Sequence, residues 1–325
     1  MRALWVRLAI AGGLLVVAFV TAVIVLNQTV YTPAGFVRGY LDALARHDVA
    51  AALAMAGPSP TSSTRTDLLT VELLRDLDSV TIAETDVEGD VHTVTVDYRM
   101  AGRDGTAAFQ VEQVGSVLGM FPTWGFAATP LAQIELTVQH ARDFTANGVR
   151  FVAPVQDVPS SYLAFTPGVI VFGHESAYLR ADPTTLVLGS PSIERSVLVG
   201  AQANDVFTSV VEEQVRAYLD ECATQQRLFP AGCPFGHGVA DPRLASAPAW
   251  SIVQYPDVVI RPTATPGEWT VPQATGVARL QVDVVDTYDG SVYAFDTQVE
   301  FSLGFVVTFV GASEVVLTPM LGEGG

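Results

Sequence analysis

The sequence predicts an α+β protein: an N-terminal transmembrane helix, then two related helix-plus-curved-antiparallel-sheet domains flanking a small all-β module. Three observations predict it. An unbroken apolar run opens the chain, one helix signature occurs twice, and within each copy the hydrophobic period changes from helical to alternating. The expected divisions are 1–31 (cytoplasmic tip and transmembrane helix), 32–127 (first α+β domain), 128–200 (β module) and 201–325 (second α+β domain with a short tail).

From Leu8 to Leu26, 19 residues, Thr21 is the only side chain that is neither apolar nor glycine. As a helix the run spans roughly 28 Å, close to the ~30 Å hydrocarbon core of a bilayer. Arg2 and Arg7 precede it and the next arginine is Arg38, so the positive-inside rule puts the N-terminus in the cytoplasm and the bulk of the chain outside. A cleaved signal peptide is the competing reading, though Asn27-Gln28-Thr29-Val30-Tyr31 offers no A-x-A-like site. No cysteine follows the run, which excludes a lipoprotein anchor.

Composition narrows the chemistry. Hydrophobic residues are 49% and charged residues 16% of 325, which excludes bulk disorder. All 17 basic residues are arginine, so a phosphate-binding loop with its lysine, a Schiff-base enzyme and a Ser-Lys nucleophile pair are all excluded. The net charge of -17 repels nucleic-acid phosphates. After residue 196 there are 15 acidic residues against 5 arginines, so a partner surface there is expected to be neutral or basic.

In the first copy Thr32-Pro33 is a cap followed by proline at the first helical position, and Phe36, Val37, Tyr40, Leu41 and Leu44 form one apolar face. His47-Asp48 interrupts before a second helix from Val49 to Ala56, ended by Gly57-Pro58. A third helical pattern carries Leu68, Leu69, Leu73, Leu74 and Leu77. Then Val94, Val96, Tyr98 and Met100 alternate with polar residues as a half-buried strand, Asp104-Gly105 signals a hairpin turn, and strands near 107–114 and 116–126 complete a sheet. In the β module, Ile134, Leu136 and Val138 alternate, Asn147-Gly148 is a type I′ turn signal, and Pro167-Gly168 precedes a further strand. The second copy repeats the plan. Asn204 caps a helix bearing Phe207, Val211, Val215, Tyr218, Leu219 and Cys222, and strands follow around Ile252 and 258–260, over 277–285, and over 293–309 with a bend.

The repeat itself consists of three ordered matches. Val37-Arg38-Gly39-Tyr40-Leu41-Asp42 returns as Val215-Arg216-Ala217-Tyr218-Leu219-Asp220. Val96-Asp97 with Asp104-Gly105-Thr106 returns as Val282-Asp283 with Asp289-Gly290-Ser291, and Leu118-Gly119 with Thr123-Trp124 as Leu303-Gly304 with Thr308-Phe309. The V-R-x-Y-L-D helix and the element order resemble the NTF2-like, cystatin-related α+β cone of membrane-anchored bacterial envelope proteins, over 32–127 and 203–318. That resemblance implies an extracytoplasmic setting. Some cones of this kind are ketosteroid-isomerase-like enzymes, with a buried carboxylate base and a tyrosine oxyanion donor, or small-ligand receptors.

Tyr40 with Asp42, or Tyr218 with Asp220, would be the donor and base, yet both tyrosines lie on an apolar helical face. Both aspartates fall four residues after an arginine, as exposed i,i+4 pairs do. Asp97 and Asp283 alternate away from the apolar side of their strands, and a base needs burial to raise its pKa. His174-Glu175 opens like a zinc-protease motif, but Tyr178 stands where the second histidine belongs. Asp283, Asp286 and Asp289 suggest calcium or, more simply, a solvated strand end and turn. Cys222 and Cys233, the only cysteines, read as a disulfide in an oxidising exterior, the alternatives being free thiols or a metal site with His237. Trp124, Phe126, Trp250 and Trp269 read as core or rim, or as an aromatic recognition surface.

The expectation is therefore a single-pass cell-membrane protein of the bacterial envelope with a non-catalytic binding or scaffolding role. Its expected partners are the membrane and an envelope protein or glycan, with no nucleic acid and no cofactor. No catalytic or metal residues are expected, and Cys222–Cys233 is the one assigned pair.

Overall fold

A computed structural model describes residues 2–57, 64–191, 194–240, 243–311 and 314–320, with side chains in the first helix from residue 12 onward. Pro58 and the side chains of Arg2 and Arg7, which entered the sequence reading, lie outside the described residues. The chain is an N-terminal apolar helix followed by mostly β structure in several sheets, an α+β protein. The helices are α1 (Arg2–Thr29), α2 (Pro33–Ala45), α3 (Val49–Ala56) and α4 (Asp205–Ala223). Strands β1 (Leu77–Glu88), β2 (Val91–Met100), β3 (Arg103–Val117), β4 (Phe121–Phe126), β5 (Leu131–Gln139), β6 (Asp143–Ala146), β7 (Val149–Val152), β8 (Ser160–Phe165) and β9 (Gly168–Glu175) come before α4. So do β10 (Leu179–Leu188), β11 (Glu194–Gly200) and β12 (Gln202–Ala203). After α4 come β13 (Ala249–Gln254), β14 (Arg261–Pro262), β15 (Glu268–Val285), β16 (Val292–Val310) and β17 (Glu314–Met320).

Two compact units result. The first comprises Met1–Val138, Asp143–Gly173 and Pro183–Val199; the second comprises Gln139–Arg142, His174–Asp182 and Gly200–Gly325. Residues 128–200 are thus shared out between the two.

Within the first unit, α1 is long and apolar enough to cross a membrane over Gly12–Thr29, and none of that window is buried against the rest of the chain. Its one hydroxyl there before the last turn, Thr21, donates to Val17 O at 2.8 Å. Thr32 caps α2 by accepting from Gly35 N at 2.9 Å, with Pro33 at the first position. Asp48 does the same for α3, accepting from Ala51 N at 3.0 Å. Val37, Tyr40, Leu41 and Leu44 then bury the predicted face of α2 against Val94 and Val96 of β2 and Phe109 and Val111 of β3. Each such side chain contributes about 1.5–3 kcal/mol by leaving water. The sheet is an antiparallel meander in the order β1-β2-β3-β4. Beyond it, β5 lies between β11 and β8, and β6 pairs with β7 and β9. The predicted Asn147-Gly148 turn joins β6 to β7 with both residues at positive φ (51° and 85°).

Three local expectations for this unit need correction. The third helix is only a 3-10 turn, Val71–Leu73. Just upstream, Arg65 is drawn into extended pairing with β8, its N–H donating to Ser161 O and its carbonyl accepting from Leu163 N, each at 2.8 Å. Leu68, Leu69 and Leu73 are buried as the pattern required, the first two in irregular backbone and Leu73 at the end of the 3-10 turn. The hairpin turn is at Ala101-Gly102 (φ 48° and 72°), and Asp104-Gly105 lies inside β3 opposite Arg99 and Tyr98. Gly105 is there for space, since a Cβ would stand 2.6 Å from the Tyr98 ring and hydroxyl. Finally, Leu77 begins β1, a mostly exposed strand with no apolar alternation to announce it.

The second unit also places a capped helix before its main sheet, with no counterpart of α3 among the described residues. Asn204 caps α4, accepting from Phe207 N at 2.9 Å, and Phe207, Val211, Val215, Leu219 and Cys222 are buried. Strands β13-β15-β16-β17 form an antiparallel meander, with β14 also paired to β15 and Leu179–Arg180 paired to β12. The expected strand at 258–260 is not one: Pro256 lacks an N–H for a ladder, and 255–260 runs as irregular backbone. No turn breaks 293–309: β16 pairs with β15 from Val292 to Thr308, with one register shift opposite Leu303–Phe305.

Tyr40 packs edge-on against Phe109 of the third strand (6.0 Å), and Tyr218 packs edge-on against Phe305 of the corresponding third strand (5.7 Å). Val96 and Val282 both lie on the second strand, but Asp104-Gly105-Thr106 is inside β3 whereas Asp289-Gly290-Ser291 is in the turn between β15 and β16. The third match falls in different places too. Leu118-Gly119 is the β3–β4 turn, whereas Leu303-Gly304 is inside β16.

Candidate binding groove

A groove of about 370 Å³ opens on the second unit. This volume lies at the lower end of the range for small-ligand sites. Its floor is Trp269 of β15, only 2% exposed, whose ring is held edge-on by Phe207 of α4 at 5.8 Å and by His140 at 5.8 Å. One wall is Val258, Val259 and Ile260, and Pro262 of β14 continues it. Facing them are Thr208 from the first turn of α4 and Gln202 and Ala203 of β12.

Local sequence explains each position. Asn204 starts α4 so that Phe207 points inward and Thr208 lies beside it, with the Thr208 hydroxyl donating to Asn204 O at 3.2 Å. His140 sits at a positive φ of 62° just after β5, and its Nδ1 donates to Ala201 O at 3.1 Å, which fixes the tautomer at that nitrogen. Pairing of Pro262 with Trp269 ties β14 to the floor. Five aliphatic or proline side chains and the hydrogen-bonding His140, Gln202 and Thr208, without a carboxylate, suit an apolar or amphipathic occupant.

A second, smaller recess shares Val258 and lies farther along α4, between Glu212, Val215 and Arg216 and the segment Tyr255–Val258. Here Tyr255 is held from both sides. Its hydroxyl donates to Asp220 Oδ1, and the Arg216 guanidinium lies 4.8 Å from its ring centroid. The hydrogen bond to Asp220, followed by burial, pushes the Tyr255 phenol above the usual tyrosine range. The Arg216–Asp220 pair expected from i,i+4 spacing is therefore replaced by a shared tyrosine.

The other sequence candidates do not converge. Tyr40 is fully buried, its hydroxyl donating to Pro130 O at 3.3 Å, and burial pushes its pKa far up, whereas Asp42 is exposed. Tyr218 donates to Gly232 O in the loop after α4, and Asp220 serves Tyr255. Asp97 accepts from Thr106 Oγ1 at 2.7 Å on the exposed side of β2. Asp286 and Asp289 each accept from a backbone N–H two residues on, Tyr288 at 2.8 Å and Ser291 at 2.9 Å, and hydrogen bonding from Ser291 holds the Asp289 carboxyl below its ordinary pKa. Asp283 contributes backbone groups to Ala245 and Ser246. Among the described residues no group of three His, Cys, Asp or Glu is arranged to hold a metal.

Cys222 and Cys233 are joined in a disulfide with a Cα–Cα distance of 5.8 Å. His237, the third member of the metal alternative, instead packs its ring edge-on against Phe295 at 5.6 Å. His174 is buried with Nε2 3.3 Å from Ser176 Oγ, and Tyr178 stacks on Phe309 at 5.7 Å. The large aromatics are packing residues. Trp124 donates to Tyr31 O at 3.1 Å, Phe126 lies 5.2 Å from Tyr40, and Trp250 donates to Arg227 O at 2.8 Å.

Tyr255, His140 and the 258–260 wall were missed as site residues because the sequence reading took 258–260 for a strand. The flanking Pro256 and Pro262 were the available signal. No protein-family model, curated protein or solved structure matches the chain.

Proposed function

We propose that this chain is a single-pass, membrane-anchored extracytoplasmic component of a bacterial cell envelope with a non-catalytic binding or scaffolding role. The observation that carries the reading is α1, an apolar helix of membrane-crossing length with none of its window buried in the protein, followed after three residues by a capped helix of a folded unit. The Cys222–Cys233 disulfide supports an oxidising exterior. The shared plan of a capped helix followed by a four-stranded meander supports treating the two units as copies of one NTF2-like domain.

In the first unit the space between helix and sheet is filled by Tyr40, Phe109 and Phe126, which favours a structural use of that copy. In the second, the groove over Trp269 is the binding place. Its Val258, Val259, Ile260 and Pro262 wall favours an apolar segment of an envelope protein over a glycan, because the Trp269 face needed for sugar stacking is covered. A photo-crosslinking residue at Val259, which is 53% exposed, in the full chain in intact cells tests this. The expected outcome is a discrete protein adduct that Thr208→Arg abolishes. Labelling no different from that of the same probe at Arg103 would reject the groove as a binding place.

A further inference from the structure

The β3–β4 hairpin breaks two rules of surface design at once. From Gln113 to Ile134 the chain has no charged residue, although its net charge is -17. The hairpin tip is apolar as well: Val114 is 63%, Val117 49%, Leu118 79% and Met120 39% exposed. Solvated hairpins of an acidic protein do not ordinarily present four large apolar side chains with no charge among them.

The turn is also unusual in chemistry. Leu118 and Gly119 have φ of 54° and 67°, the type I′ arrangement that favours Asn-Gly or Gly-Gly. A leucine at the first position gives up backbone ease to hold an apolar side chain at the outermost point of the hairpin.

The tip is fixed beside the end of α1. Asn27 Nδ2 donates to Met120 O at 2.9 Å, one residue after the apolar run ends. Next to it, Tyr31 and Phe121 pack at 4.7 Å between ring centroids, and Trp124 Nε1 donates to Tyr31 O at 3.1 Å. Aromatic residues with a polar tip at the end of an apolar helix are the side chains expected at headgroup depth.

We infer that the β3–β4 hairpin is a second membrane contact: Val117, Leu118 and Met120 enter the outer-leaflet interface beside α1, so that the first unit is held to the bilayer at two points. This inference rests on the anchored reading of α1. The occupant of the apolar tip is lipid, because the tip is hydrogen-bonded to the helix at the level where its apolar run stops. Zwitterionic lipid suffices, since no cation lies between Gln113 and Ile134 to call for an anionic headgroup.

The test uses the full chain, one molecule per phosphatidylcholine nanodisc, with a spin label introduced at Leu118→Cys and separately at Val117→Cys. The native cysteines are held in their disulfide and do not label. A label at Val16→Cys reports the helix. One at Arg103→Cys, 14 residues up β3 and roughly 45 Å away at about 3.3 Å per residue, reports water. The expected result is loss of access to a water-soluble nickel chelate, with gain of access to oxygen, at 117 and 118 as at 16. If 16 is lipid-exposed while 117 and 118 behave like 103, the hairpin contact is overturned and the anchor stands. If 16 also behaves like 103, the anchored reading itself is wrong. Protection at 117 and 118 that occurs only when two chains share a disc would overturn lipid in favour of a second copy.

Discussion

Gly276 of β15 lies directly opposite Phe301 of β16, and the Phe301 ring folds across it. A Cβ at 276 would overlap Phe301 Cζ, stand 2.8 Å from Cε2 and 3.0 Å from Gln254 O on the strand at the other side. The ring has nowhere easy to go: Phe301 is only 4% exposed and rests on Phe235 at 5.4 Å, which in turn packs on Trp250 at 4.9 Å. Two effects therefore oppose each other in Gly276→Ala. Removing a strand glycine gains about 0.5–1 kcal/mol of chain entropy. Overpacking a closed site costs about 1–3 kcal/mol. Overpacking wins, and a net destabilisation of about 1–2 kcal/mol is expected. Urea unfolding of the full chain in detergent micelles, followed by tryptophan fluorescence, measures it, with Trp250 and Trp269 in the affected unit. Phe301→Leu removes both clashing ring atoms, so the double substitution is expected to be less destabilised than the sum of the singles by at least about 1 kcal/mol. A Gly276→Ala protein as stable as the parent, or a double variant that is simply additive, would refute the packing argument.

Replacing Cys222 and Cys233 by serine opens a loop of sequence separation 11 and is expected to lower the stability of the second unit by about 3 kcal/mol in the chain-entropy model, read as a shift in the urea midpoint that reductant reproduces on the parent. On alkaline titration followed by phenolate absorbance, Tyr40, Tyr98, Tyr162, Tyr218 and Tyr255 are expected to ionise later than free tyrosine. Their folded pKa values are raised, so the stability they lend is whole below the unfolded pKa near 10 and is lost as pH rises toward the folded values. Asp220→Ala, which removes the acceptor, should bring Tyr255 back toward the ordinary range, and no change on that substitution would contradict the hydrogen bond as the main cause.

What could be read from sequence was what depends on neighbours a few residues away. Thr32-Pro33, Asp48 and Asn204 cap helices through side-chain oxygens that reach N–H groups three residues on, so α2, α3 and α4 were legible almost to the residue. Asn147-Gly148 was legible because both residues tolerate positive φ. Failures came where a distant strand decided. The leucines of 68–77 have helical spacing, but β8 takes the backbone of Arg65 into extended pairing first. Asp104-Gly105 looks like a turn, yet its glycine serves the Tyr98 ring across the ladder. The groove was hidden for the same reason. His140, Thr208, Val259 and Trp269 are separated by long stretches of chain, and no local period brings them together. The match of Leu118-Gly119 to Leu303-Gly304 was misleading, since two equal dipeptides occupy a turn in one unit and a strand interior in the other.

The central claim is that α1 crosses a membrane and leaves the folded units outside, and Arg103→Cys in intact cells tests it most directly. Exposed at the start of β3 and far from the native disulfide in sequence, that thiol is expected to react fully with a membrane-impermeant maleimide without lysis, and the labelled chain is expected to stay with the membranes through an alkaline carbonate wash. Labelling that requires lysis would contradict the orientation, and release of the intact chain by carbonate would contradict the anchor.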